Sequence, residues 1–376
     1  NNQARMTSLK TLEFNMRSHS IEDLPFPPGT VLTFEQMDVL RYYNGHDINE
    51  TERFAELSET EIAFRRGLGA HTLNQSDSTI GKKFFIDRLQ QRGVQCYGAN
   101  RKPRQTPRPA GIVLGNVIFP WIEGNRPEVI DTIAALKSTH VHSRSKGQFK
   151  HVLNLDGLEI HLGLGGIHAS VDRQHVHDGY ILDLDVTSYY PKLAIEHRIY
   201  PEHLGETFCD VYQELFEERQ QYAKKSAENL AIKLALNAVY GDSNSPFGPF
   251  YDPAYTFTVT VNGQLLLLKL AEALLAITGV DIIQINTDGV TIRYDTTEQA
   301  QQVSAVVAWW QTYSKLTREA VQYSDMWIRD VNNYVARSVD GNIKLKGAYE
   351  YDLPQHHGKE CREEQRPLVY LSRLTG

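Results

Sequence analysis

Two aspartates at the ends of apolar–polar alternations are the residues best placed for chemistry. In "DLDVTSYYP" (183–191) the alternation makes Asp185 the last outward position of a strand before Ser188 and Pro191 force a turn. A carboxylate on so rigid a mount can hold a divalent cation while the following backbone N–H groups face an anion. The same residues would serve equally as a helix start, capped by Asp or Ser ahead of "YPKLAIEH". In "IIQINTDGVTIRYD" (282–295) the alternation breaks at Asn-Thr-Asp-Gly and resumes, as in a hairpin with Asp288 at its tip beside Asn286. Alone, Asp-Gly is a turn former. A two-metal phosphoryl-transfer site needs carboxylates bridging ions about 3.5–4 Å apart, and a second acid at a strand turn could be one of them.

A third stretch, "KLALNAVYG" (233–241), sets Lys233, Asn237 and Tyr240 at i, i+4 and i+7, so one helix face carries a cation, an amide and a ring. Lysine binds phosphate as a point charge, and Asn or Tyr can contact a base or sugar. A solvated lysine beside ordinary core residues has the same spelling. Arg219, Lys224 and Lys225 on the preceding helix would converge on the same phosphates if the break near "SAEN" folds the two helices side by side; singly, each reads as helix surface.

The elements that would position these groups come in separate blocks. Helical spacing covers 34–65, 206–241 as two helices stopped by a Gly-Asp-Ser-Asn-Ser-Pro loop, 261–278, and about 296–323. Strand patterns fill 151–190, interrupted by "GLGGIH" and "DRQHVHDG", then the 282–295 hairpin and a second hairpin turning at Asp340-Gly341. Residues 99–110, rich in Pro and Arg, read as an extended connector. No repeat or low-complexity tract appears, and the block order predicts α+β rather than regular βαβ.

The chain has 376 residues, 41% hydrophobic and 23% charged, enough for two or three cored domains. No apolar run is long enough for a membrane span, and no signal-peptide pattern opens the chain. The absent initiator Met and the abrupt end after "PLVYLSRL" lead us to expect an internal piece of a longer protein. Cys96, Cys209 and Cys361 are far apart, which argues against a disulfide framework or structural zinc site and fits a reducing compartment. The net charge of −7 does not announce nucleic-acid binding, yet basic clusters stand at 100–109 and 137–150.

Order and spacing together lift the motifs above their plain readings. Asp-x-x-Ser-x-Tyr-Pro, Lys-x-x-x-Asn-x-x-Tyr-Gly, Thr-Asp between strands and Lys-x-Lys-Gly-x-Tyr follow one another along nearly the whole chain. This resembles the family B, polymerase-α-like DNA polymerases, most closely those of phage and virus type. The resemblance implies a right-hand fold: an antiparallel-sheet palm, two-helix fingers, and the end of a ribonuclease-H-like 3′–5′ exonuclease domain, with the thumb largely missing. The boundaries it implies are 1–65 exonuclease end, 66–150 connector and start of the polymerase region, 151–205 first palm part, 206–242 fingers and 243–376 second palm part.

By that resemblance Asp185 and Asp288 are catalytic and, with the Val186 backbone, hold two Mg2+ ions, Mn2+ serving as a substitute. Ser188, Tyr189, Tyr190, Arg219, Lys224, Lys225, Lys233, Asn237 and Tyr240 would bind the incoming dNTP, with Tyr190 as a flat gate against a ribose hydroxyl. Gly165, Gly166, Thr260, Gly263, Lys344, Lys346 and Tyr349 would contact primer–template DNA, the bare glycines letting backbone approach the template strand. Tyr43 and Asp47 in "YNGHD" resemble the closing exonuclease motif; its companion motifs are not found, so proofreading is expected to be weak or absent. Departures from the family pattern are Tyr189 for a leucine, Ala238 for a serine, Asn286 for the first Asp of the turn and Gln264 for an arginine. The implied activity is DNA-templated nucleotidyl transfer from dNTP to a primer 3′-OH, with replication accessory proteins as further partners. The expected compartment is the cytoplasm, of a phage- or virus-infected host or of a bacterium. Two rivals stand beside it: a catalytically impaired nucleic-acid-binding relative, and a 3′–5′ exonuclease fragment.

Overall fold

The structure is a computed structural model that describes residues 8–142, 149–224 and 226–349. Lys225, Cys361, residues 143–148 of the second basic cluster and the last residues of the predicted second hairpin lie outside the described residues. The chain opens with helices α1 (Leu9–Met16), α2 (Phe34–Leu57), α3 (Glu59–Leu68) and α4 (Asp77–Gln91). Strand β1 (Ile112–Val113), helix α5 (Pro127–Ser138) and strand β2 (His140–Val141) follow. Then come β3 (Lys150–Leu155), β4 (Leu158–Gly163), β5 (Ile167–Ser170), β6 (Gln174–Val176) and β7 (Tyr180–Val186). Four helices succeed them: α6 (Tyr189–Glu196), α7 (Thr207–Gln221), α8 (Ala227–Ser243) and α9 (Pro253–Leu274). The described chain closes with β8 (Asp281–Asn286), β9 (Gly289–Tyr294), α10 (Thr297–Ser314), β10 (Arg318–Asp330), β11 (Asn333–Ser338) and β12 (Ile343–Leu345).

Among the described residues ten strands form one antiparallel sheet ordered β12-β11-β10-β7-β9-β8-β5-β4-β3, with β6 also pairing to β10. The fold is thus a mix of helices with an antiparallel sheet. β7 lies centrally between β9 and β10, and its alternation sorts its side chains. Leu184 and Val186 join the main core, whereas Asp183 and Asp185 point to the other face. Burying each of those apolar side chains stabilises the strand by about 1.5–3 kcal/mol, which fixes the register that exposes Asp185. Helix α9 packs against that apolar face and is buried nearly all round, and Trp310 of α10 donates its indole N–H to the Leu266 carbonyl at 2.8 Å.

Three sequence expectations are corrected in their bounds. The helix expected over 296–323 ends at Ser314, where Lys315 takes a left-handed C-cap (φ 58°). Residues 318–330 are instead the strand β10, which satisfies its backbone against β7, β6 and β11. The helix expected at 261–278 begins earlier, because Asp252 caps it through the Ala254 N–H and Pro253 occupies its first turn. The Gly-Asp-Ser loop does not stop α8 at Gly241; Lys82 holds Asp242 at 2.8 Å and the Ser243 hydroxyl bonds the Tyr240 carbonyl, so the helix runs to Ser243. α8 also lies unusually close to α4. A Cβ on Gly81 would stand 2.3 Å from the Leu234 carbonyl oxygen. The Arg-rich connector is pinned to the protein, with Arg108 on both Glu202 and Asp252.

Candidate active site

Asp185 and Asp288 meet at the centre of the sheet. Asp185 of β7 stands opposite Gly289 of β9, and the Val186 N–H donates to the Asp288 carbonyl at 2.7 Å, tying the two acid-bearing segments together. The hairpin expected from the sequence is present, with Thr287 and Asp288 as its two turn residues between Asn286 and Gly289. Gly289 has a role beyond turn geometry: a Cβ there would lie 2.3 Å from the Asp185 carboxylate. The glycine makes room for the acid across the strand pair.

Two concave spaces share this centre. One, of about 300 Å3, is walled by Ser188, Tyr189, Tyr190, Asn237, Tyr240 and Asp288. The other, of about 640 Å3, is walled by Asp185, Asn286, Asp288, Tyr334, Lys344 and Lys346, among others. Asp288 lines both. Tyr190 packs against Tyr240 in a tilted pair with ring centroids 4.4 Å apart, and its hydroxyl donates to the Gly165 carbonyl at 3.0 Å. Burial pushes the Tyr240 phenol up to about 12 and raises Tyr190 further, helped there by Tyr240 and Asp288, so both rings stay neutral. Ser188, which precedes α6, is held left-handed (φ 50°, ψ 52°) without capping that helix through its side chain. For a residue other than glycine this conformation is uncommon, and it turns the chain sharply beside Asp185.

The Asp185 side chain keeps 45% of its surface toward the cleft. Even so, the surrounding protein and then the Asp183 charge push its carboxyl up to about 6, with Asp288 adding to the rise and Lys344 and Lys346 opposing it. Asp183, two residues back on the same strand face, is 5% exposed. It accepts hydrogen bonds from Thr291 (2.7 Å), Tyr323 (2.8 Å) and Lys344 (3.0 Å). Burial alone would lower the Lys344 ammonium; Asp183, Tyr334 and Asp185 together hold it well above the ordinary lysine value. Asn286 donates to Gln284 at 3.2 Å and faces the larger space.

Other predicted residues fall in several places. Gly165 and Gly166 sit against the site: Gly165 through Tyr190, and Gly166 so near Thr287 that a Cβ would come to 2.9 Å. Lys233 is exposed one helical turn from Asn237, and Lys224 is exposed at the far end of the α7–α8 pair. Arg219 is close to Asn229, whose amide also donates to the Arg219 carbonyl. None of these three lines either space. Thr260 and Gly263 are both buried in α9, and the Thr260 hydroxyl bonds back to the Thr256 carbonyl. Gly263 instead receives the hydroxyl of Tyr189, and Gln264 pairs with the Gly163 backbone in both directions. The departures at 189 and 264 therefore bind α6 and the glycine turn to the central helix. Tyr349 is largely buried against Trp327 and Val335. Tyr43 and Asp47 lie a turn apart on α2, which packs on α1 and α3, and neither lines the described spaces.

Sequence reading missed Asp183, Thr291, Tyr323 and His168, the last with its ring nitrogen 3.3 Å from the Thr287 hydroxyl. A period of two would have placed Asp183 on the Asp185 face; the rest belong to pairings that sequence spacing does not show.

No family model matches the sequence. A curated viral protein, the DNA polymerase of Pyramimonas orientalis virus, is 22% identical over 144 residues. The chain is similar to a viral DNA polymerase. The match covers 38% of this chain and 10% of the viral protein, so the chain spans a small part of its relative's length. Among solved structures, the family B DNA polymerase of the archaeon Pyrobaculum calidifontis aligns at TM-score 0.43 and 14% identity, over 98% of this chain and 48% of that one.

Among the described residues no group of three or more His, Cys, Asp or Glu is arranged to hold a metal. The donor set that remains, two aspartates on one cleft, is of a kind that a divalent cation can use together with waters and phosphate oxygens. No described helix is long and apolar enough to cross a membrane.

Proposed function

We propose that the chain carries the palm and fingers of a DNA-templated DNA polymerase, with primer–template DNA and dNTPs as its partners. The observation that carries the reading is that Asp288 lines both spaces while Asp185, across the strand pair from the adjacent Gly289, lines the larger one with it. A nucleotide in the smaller space and a strand end in the larger one would then meet at the two carboxylates. The partial likeness to a viral DNA polymerase supports the same class.

In this reading Asp185, Asp288 and the Val186 backbone would hold two Mg2+, or Mn2+ in their place. When bound, the ions supply a lowered pKa for the primer 3′-OH and neutralisation of the triphosphate during in-line transfer. The chain's own residues do the placing. The backbone N–H groups at the start of α6 face the triphosphate, which the left-handed Ser188 turns toward the cleft. Tyr190, fixed by Tyr240 and the Gly165 carbonyl, presents a neutral ring under the sugar and leaves no room for a 2′-hydroxyl. Asn237 borders the nascent pair, and Lys233, with Arg219 and Lys224 farther along the helix pair, draws the phosphates in. Lys344 and Lys346 flank the primer side, and the glycine turn at 165–166 gives the template backbone a close approach.

Magnesium-dependent extension of a primed template by the chain tests this, against Asp185→Ala and Asp288→Ala. Each substitution should lower the rate by at least about 1,000-fold, since each removes a group that holds charge at the reacting atoms. Extension by the parent together with undiminished extension by both variants would refute the site. DNA binding without extension would mark a catalytically silent relative.

A further inference from the structure

We propose that Asp183 is a positioning residue that holds the Lys344 ammonium away from Asp185, so that Asp185 remains open to a divalent cation. The proposal rests on the polymerase reading of Asp185 given above. Asp183 and Asp185 are neighbours on one face of β7, and the Lys344 ammonium lies 3.0 Å from the first and 3.7 Å from the second. The two carboxylates differ in freedom. The Asp183 side chain is 6% exposed and fixed from both oxygens, one by Thr291 and the other by Tyr323 and Lys344. The Asp185 side chain is 45% exposed and able to turn.

The ammonium is boxed in as well. The rings of Tyr323 and Tyr334 have their centroids 5.8 and 5.9 Å from it, a distance at which an aromatic face attracts a cation. Lys344 therefore has a seat built from one immobile carboxylate and two rings, and Asp185 makes only the longer ion pair, 3.7 Å and outside hydrogen-bond distance. Take away the Asp183 charge and the balance changes. Asp185 becomes the carboxylate left within reach, and its exposed side chain can rotate to close the remaining gap. A lysine ammonium in contact with Asp185 occupies the oxygens that a divalent cation would use. With Asp183 in place, the same ammonium instead offsets the repulsion between two acids on adjacent outward positions of one strand, an arrangement that is otherwise destabilising.

A purely structural buried pair would look similar in the folded protein, but the two readings part in a double-mutant cycle. The probe is Mn2+ alone, its binding to the full chain followed by electron paramagnetic resonance at fixed pH and ionic strength. The variants are Asp183→Asn, Lys344→Met, the double variant and Asp185→Ala. Asp183→Asn should weaken Mn2+ binding about tenfold. Lys344→Met should tighten it, and Asp183→Asn introduced into the Lys344→Met background should weaken it no further. Equal weakening by Asp183→Asn in both backgrounds overturns the proposal, as does weaker binding in Lys344→Met. Circular dichroism and thermal melting establish that each variant is folded; should Asp183→Asn not fold, Asp183→Ser, which also removes the charge, takes its place in the same cycle. Asp185→Ala separates the two layers of inference. Loss of Mn2+ binding there, with no difference between backgrounds for Asp183→Asn, defeats the positioning role and leaves the metal reading intact. Binding that survives in Asp185→Ala defeats the metal reading itself and this proposal with it.

Discussion

Gly289→Ala is the substitution whose consequences the geometry specifies most closely. The new methyl group would be placed 2.3 Å from an oxygen of Asp185 and 2.9 Å from the Leu184 carbonyl oxygen, against ordinary contacts of 3.4–4 Å. Gly289 is not among the residues with positive φ, so backbone strain contributes nothing and the whole effect is steric. The Leu184 carbonyl belongs to a strand paired on both edges and cannot retreat, whereas Asp185 has open cleft on one side. The carboxylate must therefore swing away by about 1 Å, at an overpacking cost of about 1–3 kcal/mol. A reacting group misplaced by about 1 Å can lose about 100-fold in rate, so turnover should fall by that order while primer–template affinity changes little. The assay is single-turnover primer extension alongside urea denaturation. Gly157→Ala in the β3–β4 hairpin is the control. That glycine has φ +90° with open space around it, so alanine there should cost about 1–2 kcal/mol of stability and leave the rate alone. Parental extension by Gly289→Ala would refute the claim that this glycine exists to seat Asp185.

Asn286→Asp adds a carboxylate to the larger space; it should lower the Mg2+ concentration for half-maximal extension severalfold and keep the rate within about twofold, and a large loss of rate would contradict this. Tyr190→Ala should reduce discrimination against ribonucleotides by about 100-fold in single-nucleotide incorporation, and unchanged selectivity would remove Tyr190 from the sugar site. Tyr189→Phe deletes the hydroxyl that donates to the Gly263 carbonyl and should cost about 1 kcal/mol in urea unfolding, a loss that fails to appear if the bond contributes nothing. Lys82→Met strips the cation from Asp242, whose side chain is 4% exposed, and should cost about 3 kcal/mol in urea unfolding; a neutral result would show that the ion pair contributes nothing to stability.

What could be read from the sequence was local. The alternation in "DLDV" gave the two faces of β7, and the Asn-Thr-Asp-Gly break marked the β8–β9 turn, because both depend on residues within a few positions of each other. The helix face with Asn237 and Tyr240 was equally legible, and those two residues do border one space. β10 was not legible. Its residues continue a helical-looking run, and only pairing to β7, β6 and β11 makes them a strand. The Asp183 network was hidden for the same reason, since Thr291, Tyr323 and Lys344 reach it from three other strands. Nor did the sequence reveal that the helix carrying Thr260 and Gly263 is enclosed on nearly every side. Asp252-Pro253 was a readable start signal for that helix.

The position of β7 between β9 and β10 also has a consequence for how the protein is made. Its hydrogen-bonding partners lie about a hundred residues or more downstream, so both flanks of the Asp185 strand must wait for chain that has not yet been synthesised. At ribosomal speeds of about 5–20 residues per second, the interval between the emergence of β7 and of β12 is roughly 10–30 s. Through that period a strand bearing adjacent acids has neither its neighbours nor the lysine that balances them. Such distant pairing slows folding, and it makes the candidate site around Asp185 one of the last described regions to acquire its shape.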